Sequence, residues 1–353
     1  MKILASPDSF KGSLSSFEVC SAIKRALNTQ FDVEAIPFAD GGEGFCDAYL
    51  NNFGGEKIFC TCTDTLGDKI NCSYIKNGSE AIIESAAASG LRSRKDALGA
   101  SSRGTGELIL HAIRSGAKSI TVALGGSGCT DGGTGSLSAL GVEFLNASGK
   151  AVLFPNGKTT HEIKSVSHFP NYGVSLTLAC DVENPFCGEN GAALIYSMQK
   201  GATAQEALFL DEGLKNIQSV YERGLCKSIA SLKGAGAAGG LCGGLYALFG
   251  GRILSGFDYL CEKANLEEKI KSADLIITGE GKTDSQTLMG KLPYKICVLA
   301  KKYGKKTCLI SGQIDGVSLA DIQISLTDEN TPVEEAVKNA SKLIENKLKE
   351  MLL

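Results

Sequence analysis

Several residues that often mark functional sites are scarce in this sequence. It contains no tryptophan and three histidines, and none of its 13 cysteines forms a Cys-x-x-Cys pair. So few histidines and no paired cysteines give little support for a zinc site. Because the number of cysteines is odd and many lie in apolar runs, we expect reduced thiols that pack in the core. The absence of tryptophan argues against a protein-binding module built on aromatic anchors.

Blocks of like charge and long apolar runs are also missing. The formal net charge is −3, and the sequence has no basic segment suited to tracking a phosphate backbone. We therefore expect no nucleic-acid partner. No run approaches the roughly 20 apolar residues of a membrane span, and the N-terminus lacks the apolar core of a signal peptide. The expectation is a cytoplasmic protein, a monomer or a homodimer, without a membrane partner.

Common catalytic signatures are absent. The sequence has neither the G-x-x-x-x-G-K-[ST] motif of P-loop NTPases nor the H-R-D and D-F-G motifs of protein kinases. No G-x-S-x-G elbow stands out, and His111, His161 and His168 lie outside the polar loops of the chain. A P-loop enzyme, a protein kinase and a Ser-His-Asp hydrolase are therefore disfavoured.

The order of predicted elements indicates an α/β protein. Apolar strands alternate with helices at both ends of the chain, and residues 56–84 show the pattern of an antiparallel meander. The chain has 353 residues, whereas one domain commonly has about 100–200. We predict a Rossmann-like or flavodoxin-like parallel-sheet domain built from both termini, residues 1–65 plus 272–353. A second, mixed α/β domain, residues 66–271, is inserted into it.

Glycine is the residue present in excess, at 43 of 353 residues, about 12% against an average near 7%. Much of it lies in six loops that also carry Asp, Glu, Lys, Ser or Thr. These loops are PDSFKGS, FADGGEG, SSRGTGE, GGSGCTDGGTG, ACDVENPFCGENGA and ITGEGKTDSQTLMGK. One such loop is ordinary turn and cap chemistry. Six favour a phosphate-binding site, because glycine lets backbone N–H groups approach phosphate oxygens.

The charged side chains of these loops suit phosphoryl transfer, which needs cations for phosphates, carboxylates for Mg²⁺ and a base near the attacking hydroxyl. The candidate cations are Lys11, Lys282 and Lys291. The candidate carboxylates are Asp8, Asp40, Glu43, Asp131, Asp181, Glu280 and Asp284. Arg103 has the fork geometry that holds a carboxylate. Structural roles stay open for several of them: a turn for Asp8, a helix cap for Asp131 and a salt bridge for Arg103.

Together, the loops resemble the blocks of the bacterial type-1 glycerate kinase family. The similar blocks are, in chain order, PDSFKGSLS, PFADGGEG, AAASGL, SSRGTGELI, GGSGCTDGGTG, ACDVENPFCG, GAGAAGGL and ITGEGKTDSQTLMGK. The resemblance implies a two-domain α/β kinase with the active site in the interdomain cleft. It further implies that the enzyme uses ATP with Mg²⁺ and phosphorylates D-glycerate, most often to 2-phosphoglycerate. This chain departs from the family's usual pattern at Cys129 and Thr130, before Asp131, and at Met198, which replaces a proline. These departures bear on how the substrate fits.

The residues can be assigned to roles in such a reaction. We expect Arg103 and the amides of a glycine-rich loop to hold the glycerate carboxylate. Lys11 and Lys282 would neutralise the transferring phosphoryl group, and the hydroxyl proton would pass to Asp181 or Asp8. The predicted Mg²⁺ ligands are Asp40, Glu43 and Asp284. The predicted nucleotide-binding residues are Gly125, Gly126, Ser127, Asp131, Gly132, Gly133, Gly279, Gly281 and Lys291.

Three alternatives stay open at this point. The product could be 3-phosphoglycerate, because the two hydroxyls of glycerate differ only by a small displacement. The acceptor could be a related small hydroxy acid. A protein that binds a nucleotide or another phosphate compound without turnover is the third reading, although it leaves the number of loop carboxylates unexplained.

Overall fold

The computed structural model describes residues 1–38, 44–225, 227–329 and 331–352. Two compact units divide the chain, and each has its own hydrophobic core. The first comprises Met1–Asp40, Asp47–Phe53 and Phe257–Leu353, and the second comprises Gly41–Cys46 and Gly54–Gly256. Every cysteine of the described residues is free. None of the described helices is both long enough and apolar enough to cross a membrane.

Strands and helices alternate along most of the described chain. The strands are β1 (Lys2–Ala5), β2 (Asp32–Ala35), β3 (Glu56–Thr63), β4 (Lys69–Asn77), β5 (Glu80–Glu84), β6 (Ser119–Ala123), β7 (Glu143–Asn146), β8 (Ile163–His168), β9 (Ser175–Ala179), β10 (Arg252–Leu254), β11 (Leu275–Thr283), β12 (Lys306–Ile314) and β13 (Ile322–Ser325). The helices are α1 (Ser16–Leu27), α2 (Phe45–Phe53), α3 (Ser85–Ser89), α4 (Arg103–Arg114), α5 (Thr134–Ala139), α6 (Ala192–Tyr196), α7 (Ala204–Gly224), α8 (Leu241–Phe249), α9 (Gly256–Ala264), α10 (Leu266–Ser272), α11 (Leu292–Lys302) and α12 (Val333–Leu352).

The sheet of the first unit is parallel throughout, in the order β13-β12-β11-β1-β2. Counted within this unit, the strand order is 2-1-3-4-5, the flavodoxin-like arrangement named in the fold prediction. The direction of winding changes between β1 and β11. Ligands of open α/β sheets bind at such a point, outside the carboxyl ends of the strands. The topology therefore points to the loops that follow β1 and β11.

Amphipathic helices cover this sheet, as buried parallel strands require. Strand β1 has the sequence KILA, and its Ile3 and Ala5 belong to the core that α1 and α12 also line. Helix α1 begins with a capping box between Ser15 and Glu18. Helix α12 packs against α1 and β12, and α11 packs against β11 and β12. This packing holds the ends of β11 and β12 in place beside the loop after β1.

The second unit contains a mixed six-stranded sheet, in the order β10-β9-β6-β5-β4-β3. Strands β3, β4 and β5 form the predicted antiparallel meander, whereas β5, β6, β9 and β10 are parallel. Strands β7 and β8 form a separate antiparallel pair, and β8 contacts α7. Because β6 and β9 are parallel neighbours, the loops after them leave the same edge of the sheet. They line one pocket with Gly125 and Val182.

The ranges of the two units differ from the predicted domain ranges mainly at β3, α9 and α10. The prediction grouped β3 with the chain termini, whereas β3 pairs with β4 along its full length and lies in the second unit. It grouped α9 and most of α10 with the inserted domain, whereas the first unit resumes at Phe257 and contains both helices except Gly256. Helix α10 contacts β1 and α11. Strand pairing and helix packing set these ranges, and no linker composition in the sequence marks them.

Candidate functional site

The first unit has a pocket of about 610 Å³ beside the ends of β11 and β12, called here the first-unit pocket. The loop after β1 reaches it because the amides of Ser6 and Asp8 donate to the carbonyls of Ile277 and Gly279 in β11, both at 2.8 Å. One side of the pocket is charged and the other, along α12, is apolar. Its lining residues are Asp8, Ser9, Phe10, Lys11, Ser13, Glu280, Gly281, Lys282, Gln286, Lys291, Gly312, Gln313, Leu326, Thr327, Val333, Ala336, Val337 and Ala340.

Five of the predicted site residues meet in this pocket: Asp8, Lys11, Gly281, Lys282 and Lys291. The side chain of Lys11 is exposed. Lys282 Nζ lies 2.9 Å from a carboxylate oxygen of Asp315 and 3.8 Å from one of Asp284. The hydrogen bond with Asp315 raises the pKa of Lys282 above its ordinary value. The pocket therefore gathers three lysine ammonium groups, which suits a polyanionic ligand.

Glu280 is the buried carboxylate of this pocket, with 5% of its surface exposed. Its Oε1 accepts hydrogen bonds from the hydroxyls of Thr287 at 2.6 Å and Thr283 at 3.3 Å. Its Oε2 lies 3.4 Å from Lys291 Nζ. The sequence named Glu280 among the loop carboxylates without assigning it a role. The threonines that hold it lie three and seven residues further along the same loop, a spacing that could have drawn attention to it.

Glycines allow the three backbone segments of this site to approach one another. A Cβ on Gly312 would overlap the carbonyl oxygen of Gly281, and one on Gly281 would lie 3.2 Å from the amide nitrogen of Lys11. Gly279, a predicted nucleotide-binding residue, is instead enclosed in the sheet, where a Cβ would overlap the carbonyl oxygen of Ile310. A glycine is needed at position 279 because the neighbouring strand packs closely against it, and Gly279 does not line the pocket.

The predicted metal ligands fall into two groups. Asp40 and Glu43 lie outside the described residues. Asp284 directly follows β11 and holds a turn: its Oδ1 accepts from the amide of Gln286 at 2.9 Å. The described part of the chain contains no group of three or more His, Cys, Asp or Glu side chains arranged around a metal position. Asp8, whose Oδ1 accepts from the Ser9 amide at 2.6 Å, and Glu280 are the carboxylates that line the first-unit pocket.

The second unit has a smaller pocket of about 230 Å³, called here the Lys200 pocket. It lies against the loop that follows β6. The residues that line it are Leu91, Leu124, Gly125, Gly126, Ser127, Val182, Tyr196, Gln199, Lys200, Ala238 and Gly239. Three of the predicted nucleotide-binding residues, Gly125, Gly126 and Ser127, therefore share this pocket with a lysine to which the sequence assigned no function.

The rest of the GGSGCTDGGTG loop is enclosed in the second unit. Asp131 is fully buried, and it accepts hydrogen bonds from the Ser102 amide and hydroxyl and from the amides of Gly133 and Gly135, at 2.8–3.1 Å. Burial raises the pKa of Asp131, and these hydrogen bonds oppose that shift. Gly132 and Gly133 have φ of +64° and +79° and pack against apolar side chains and the backbone of α8. These three predicted nucleotide-binding residues shape the loop and do not line either pocket.

Arg103 and Asp181 also lie apart from the lining of both pockets. Arg103 Nε forms an ion pair with Glu107 Oε1 at 3.1 Å, and its guanidinium lies over the ring of Phe154. The salt bridge left open from the sequence is therefore present. Asp181 is exposed and accepts from the amide of Gly256 at 3.3 Å. Its neighbour Val182 is the residue of this loop that lines the Lys200 pocket.

The positions that depart from the family pattern differ in exposure. Thr130 is fully buried, and its hydroxyl has no hydrogen-bond partner within the described residues. Met198 is 60% exposed and begins the turn that contains Lys200. Neither side chain lines the Lys200 pocket. Their direct effect on ligand binding is therefore expected to be small.

Comparison with known proteins gives consistent results. The Glycerate kinase family profile matches residues 3–352. A glycerate kinase of Bacillus cereus is 37% identical, over 98% of this chain and 95% of the relative, and a glycerate 2-kinase of Escherichia coli is 40% identical, over 89% and 86%. A crystal structure from Salmonella typhimurium, provisionally described as glycerate kinase 2, has a TM-score of 0.89 at 36% identity and covers 99% of this chain and 96% of that one. The chain therefore belongs to the glycerate kinase family and is a kinase.

Proposed function

We propose that this enzyme transfers the γ-phosphoryl group of ATP to a hydroxyl of D-glycerate, giving 2-phosphoglycerate. Membership of the glycerate kinase family supports the reaction class, and the E. coli relative is named as a glycerate 2-kinase. The observation that carries the proposal is the first-unit pocket, in which three lysines and two carboxylates surround glycine-rich backbone. Phosphoryl transfer depends mainly on positioning and on neutralising charge, which is what such a set of groups provides.

The first-unit pocket suits ATP in size and in chemistry. Its volume of about 610 Å³ falls within the range of about 300–1,000 Å³ typical of ligand pockets. Lys11, Lys282 and Lys291 would bind the triphosphate, and Gly281 would leave room for phosphate oxygens near the backbone. The apolar side along α12, including Val333 and Ala336, would contact the base.

The residues of this pocket are compatible with Mg²⁺ bound together with ATP. Mg²⁺ keeps several waters and usually takes one or two carboxylates plus substrate phosphates, so a cage of protein ligands is not needed. Asp8 and Glu280 line the pocket and would hold the ion directly or through water. The ion would neutralise charge on the phosphates. Asp40, Glu43 and Asp284 stay candidates from the sequence.

The acceptor hydroxyl must lose its proton as the new P–O bond forms. Asp8 is the candidate base that lines the first-unit pocket, and Asp181 is the candidate in the second unit. Because the transition state of phosphoryl transfer is loose, the lysines are expected to contribute more to the rate than the base.

The test is an ADP-release assay with ATP, Mg²⁺ and D-glycerate, in which NMR identifies the product. Formation of 2-phosphoglycerate supports the proposal, and 3-phosphoglycerate would keep the reaction but change the position of the acceptor. EDTA should abolish turnover, and added Mg²⁺ should restore it. If folded protein releases ADP only with another small hydroxy acid, glycerate is not the acceptor. Binding of ATP without ADP release from any acceptor would contradict the proposal.

A further inference from the structure

The second unit buries a lysine without an ion-pair partner among its described residues. Lys200 is 3% exposed. Its ammonium donates to the backbone oxygen of Cys129 at 2.6 Å and to Ser127 Oγ at 3.1 Å. An ammonium group has three donors, so two neutral acceptors leave one donor without a partner in the protein. A buried charge is normally paired, because removing it from water is costly. Burial accordingly lowers the pKa of Lys200, and the charge of the buried Asp131, which forms no ion pair with it, opposes that shift.

The surroundings of Lys200 favour an anion. No aspartate or glutamate is among the residues that line this pocket in the described chain. Gly125 and Gly126 line the pocket, and their backbone N–H groups donate no hydrogen bond to backbone oxygens within the described residues. Gly126 has φ of +70°, a backbone conformation that would be strained for most other residues. Amides in such a loop form concave sites for anions, and Lys200 adds a full positive charge.

A strained residue lines the same pocket. Ala238 has φ of 54° and ψ of 38°, the left-handed region that residues with a Cβ rarely adopt. Such backbone conformations cost about 1–3 kcal/mol and cluster at binding sites, where the surrounding structure maintains them. Ala238 and Gly239 thus add a conformationally restricted segment to the lining of the pocket.

We propose that the Lys200 pocket binds the carboxylate of the acceptor hydroxy acid, with Lys200 Nζ and the loop amides of Gly125 and Gly126 as its donors. This assignment rests on the proposed kinase function and differs from the sequence-based assignment to Arg103, which lines neither pocket. The exposed side chain of Gln199, which also lines the pocket, is placed to contact a hydroxyl of the same ligand.

The size of the pocket favours the acceptor over the nucleotide. Its volume of about 230 Å³ lies below the range of about 300–1,000 Å³ for larger ligands, and a three-carbon acid needs much less space than ATP. One cation and two amides match one carboxylate, whereas a triphosphate requires the several cations found in the first-unit pocket. The alternative is a structural role, in which Lys200 only links its own turn to the Ser127–Cys129 backbone.

Steady-state kinetics of Lys200→Met separate these roles. Methionine keeps the length of the side chain and removes the charge. The expected result is a KM for D-glycerate raised by about 30-fold or more, as when one partner of a buried charge pair is lost, with the KM for ATP changed less than about 3-fold. Lys233→Met is the matched control, since Lys233 is an exposed lysine of the same unit paired with Glu183. It should leave both KM values unchanged.

A second measurement covers the case in which Lys200→Met does not fold. In the wild-type enzyme with ADP and Mg²⁺ present, D-glycerate should raise the melting temperature, and its neutral amide should not. Equal stabilisation by acid and amide would overturn the proposal. So would a folded Lys200→Met variant that binds D-glycerate normally, or one in which only the KM for ATP rises, since Lys200 would then be structural or would bind the nucleotide.

Failure of the proposed function can be distinguished from failure of this inference. If the protein does not phosphorylate D-glycerate, the thermal measurement is repeated with glycolate, lactate and tartronate, each beside its neutral amide. Stabilisation by one of these acids that is lost in Lys200→Met would retain the carboxylate site and change only the substrate. Stabilisation by none of them would reject the site.

Discussion

Lys11 and Lys200 show how burial changes the chemistry of one residue type. Lys11 is exposed at the first-unit pocket, and its charge is solvated until a ligand arrives. Lys200 is enclosed and bonded to two neutral oxygens. Desolvation is therefore already complete at Lys200, which makes its charge more effective toward a bound anion. Lys11 is suited to phosphates whose charge develops in the transition state, and Lys200 to a ground-state carboxylate.

Removal of the Lys11 ammonium should reduce the rate of phosphoryl transfer. We expect Lys11→Ala to lower kcat by about 100-fold or more, the usual effect of losing one preorganised electrostatic group. Because Lys11 is exposed, the melting temperature of the Lys11→Ala variant should stay near that of the wild type. The measurement is ADP release at saturating ATP and D-glycerate. Lys301→Ala, which removes an exposed lysine of α11 outside the pocket, is the control. A folded Lys11→Ala variant with wild-type kcat would exclude this role.

At the scale of elements, two helices begin with capping boxes. Ser15 and Glu18 cap α1, and Thr203 and Glu206 cap α7. In each pair the hydroxyl accepts from the amide of the glutamate, and the glutamate accepts from the amide of the cap residue. The S-x-x-E and T-x-x-E spacing is local, so these helix starts follow directly from the sequence.

Loss of the cap at α1 should destabilise the protein in a pH-dependent way. We expect Ser15→Ala to lower the free energy of unfolding by about 1 kcal/mol at pH 7. Hydrogen bonds from Ser15 lower the pKa of Glu18 below its ordinary value of 4.5. This stabilisation is therefore present above pH 4.5 and is lost as the pH falls through the lower folded-state pKa. The difference in free energy of unfolding between Ser15→Ala and the wild type should therefore become smaller as the pH falls.

Urea unfolding at pH 7 and at several values below pH 4.5 measures this difference. Ser318→Ala is the matched control, because Ser318 is an exposed loop serine of the same unit. It should cause no measurable change at any pH. A constant difference for Ser15→Ala across the series would mean that Glu18 does not take part in the cap.

The approach of β11 and β12 at the first-unit pocket depends on a glycine. A Cβ at Gly312 would overlap the carbonyl oxygen of Gly281, which belongs to a backbone that cannot yield easily. We expect Gly312→Ala to destabilise the first unit by about 1–3 kcal/mol, as overpacking does. It should also weaken ATP binding, because both glycines line the pocket. Chemical denaturation and the KM for ATP measure the two effects, and an unchanged KM would separate Gly312 from the nucleotide site.

At the scale of the whole molecule, the two proposed ligands should protect different segments of the chain. Hydrogen exchange reports local opening along the backbone, and a bound ligand slows it where the ligand contacts the protein. ATP with Mg²⁺ should protect residues 8–13 and 280–291, which line the first-unit pocket. D-glycerate with ADP should add protection at residues 124–127 and 196–200. The comparison uses the full chain, with ATP and D-glycerate never present together so that no turnover occurs.

Either of two results of this exchange experiment would contradict the assignment. Protection of residues 124–127 by ATP alone would move the nucleotide to the second unit, as the sequence predicted for Gly125, Gly126 and Ser127. Protection of residues 280–291 by glycerate beyond that from ADP would place the acceptor beside the lysines of the first-unit pocket. Lys200→Met should remove only the glycerate-dependent protection.

The sequence alone determined the class of the fold and the type of reaction. Strand and helix periods are local, so KILA, ITVA and LIIT predict buried strands, and the serines before Phe17 predict a helix start. Six loops combine glycine with charged or hydroxyl residues, and this composition, which can be read from each loop separately, indicated phosphate chemistry. The same reasoning predicted that Asp8, Lys11, Gly281, Lys282 and Lys291 contribute to a site, and these five line one pocket.

Only the tertiary structure decided which loop residues face a ligand space and which are enclosed. Asp131 carries a charge that suggested binding, yet it is fully buried and accepts hydrogen bonds from the amide and hydroxyl of Ser102. Lys200 lies in an ordinary turn, and its burial comes from contacts with Ser127 and Cys129, more than 70 residues away. Burial and pairing arise from contacts between distant segments, which local composition does not encode, so the sequence could supply candidates for the site but not its geometry.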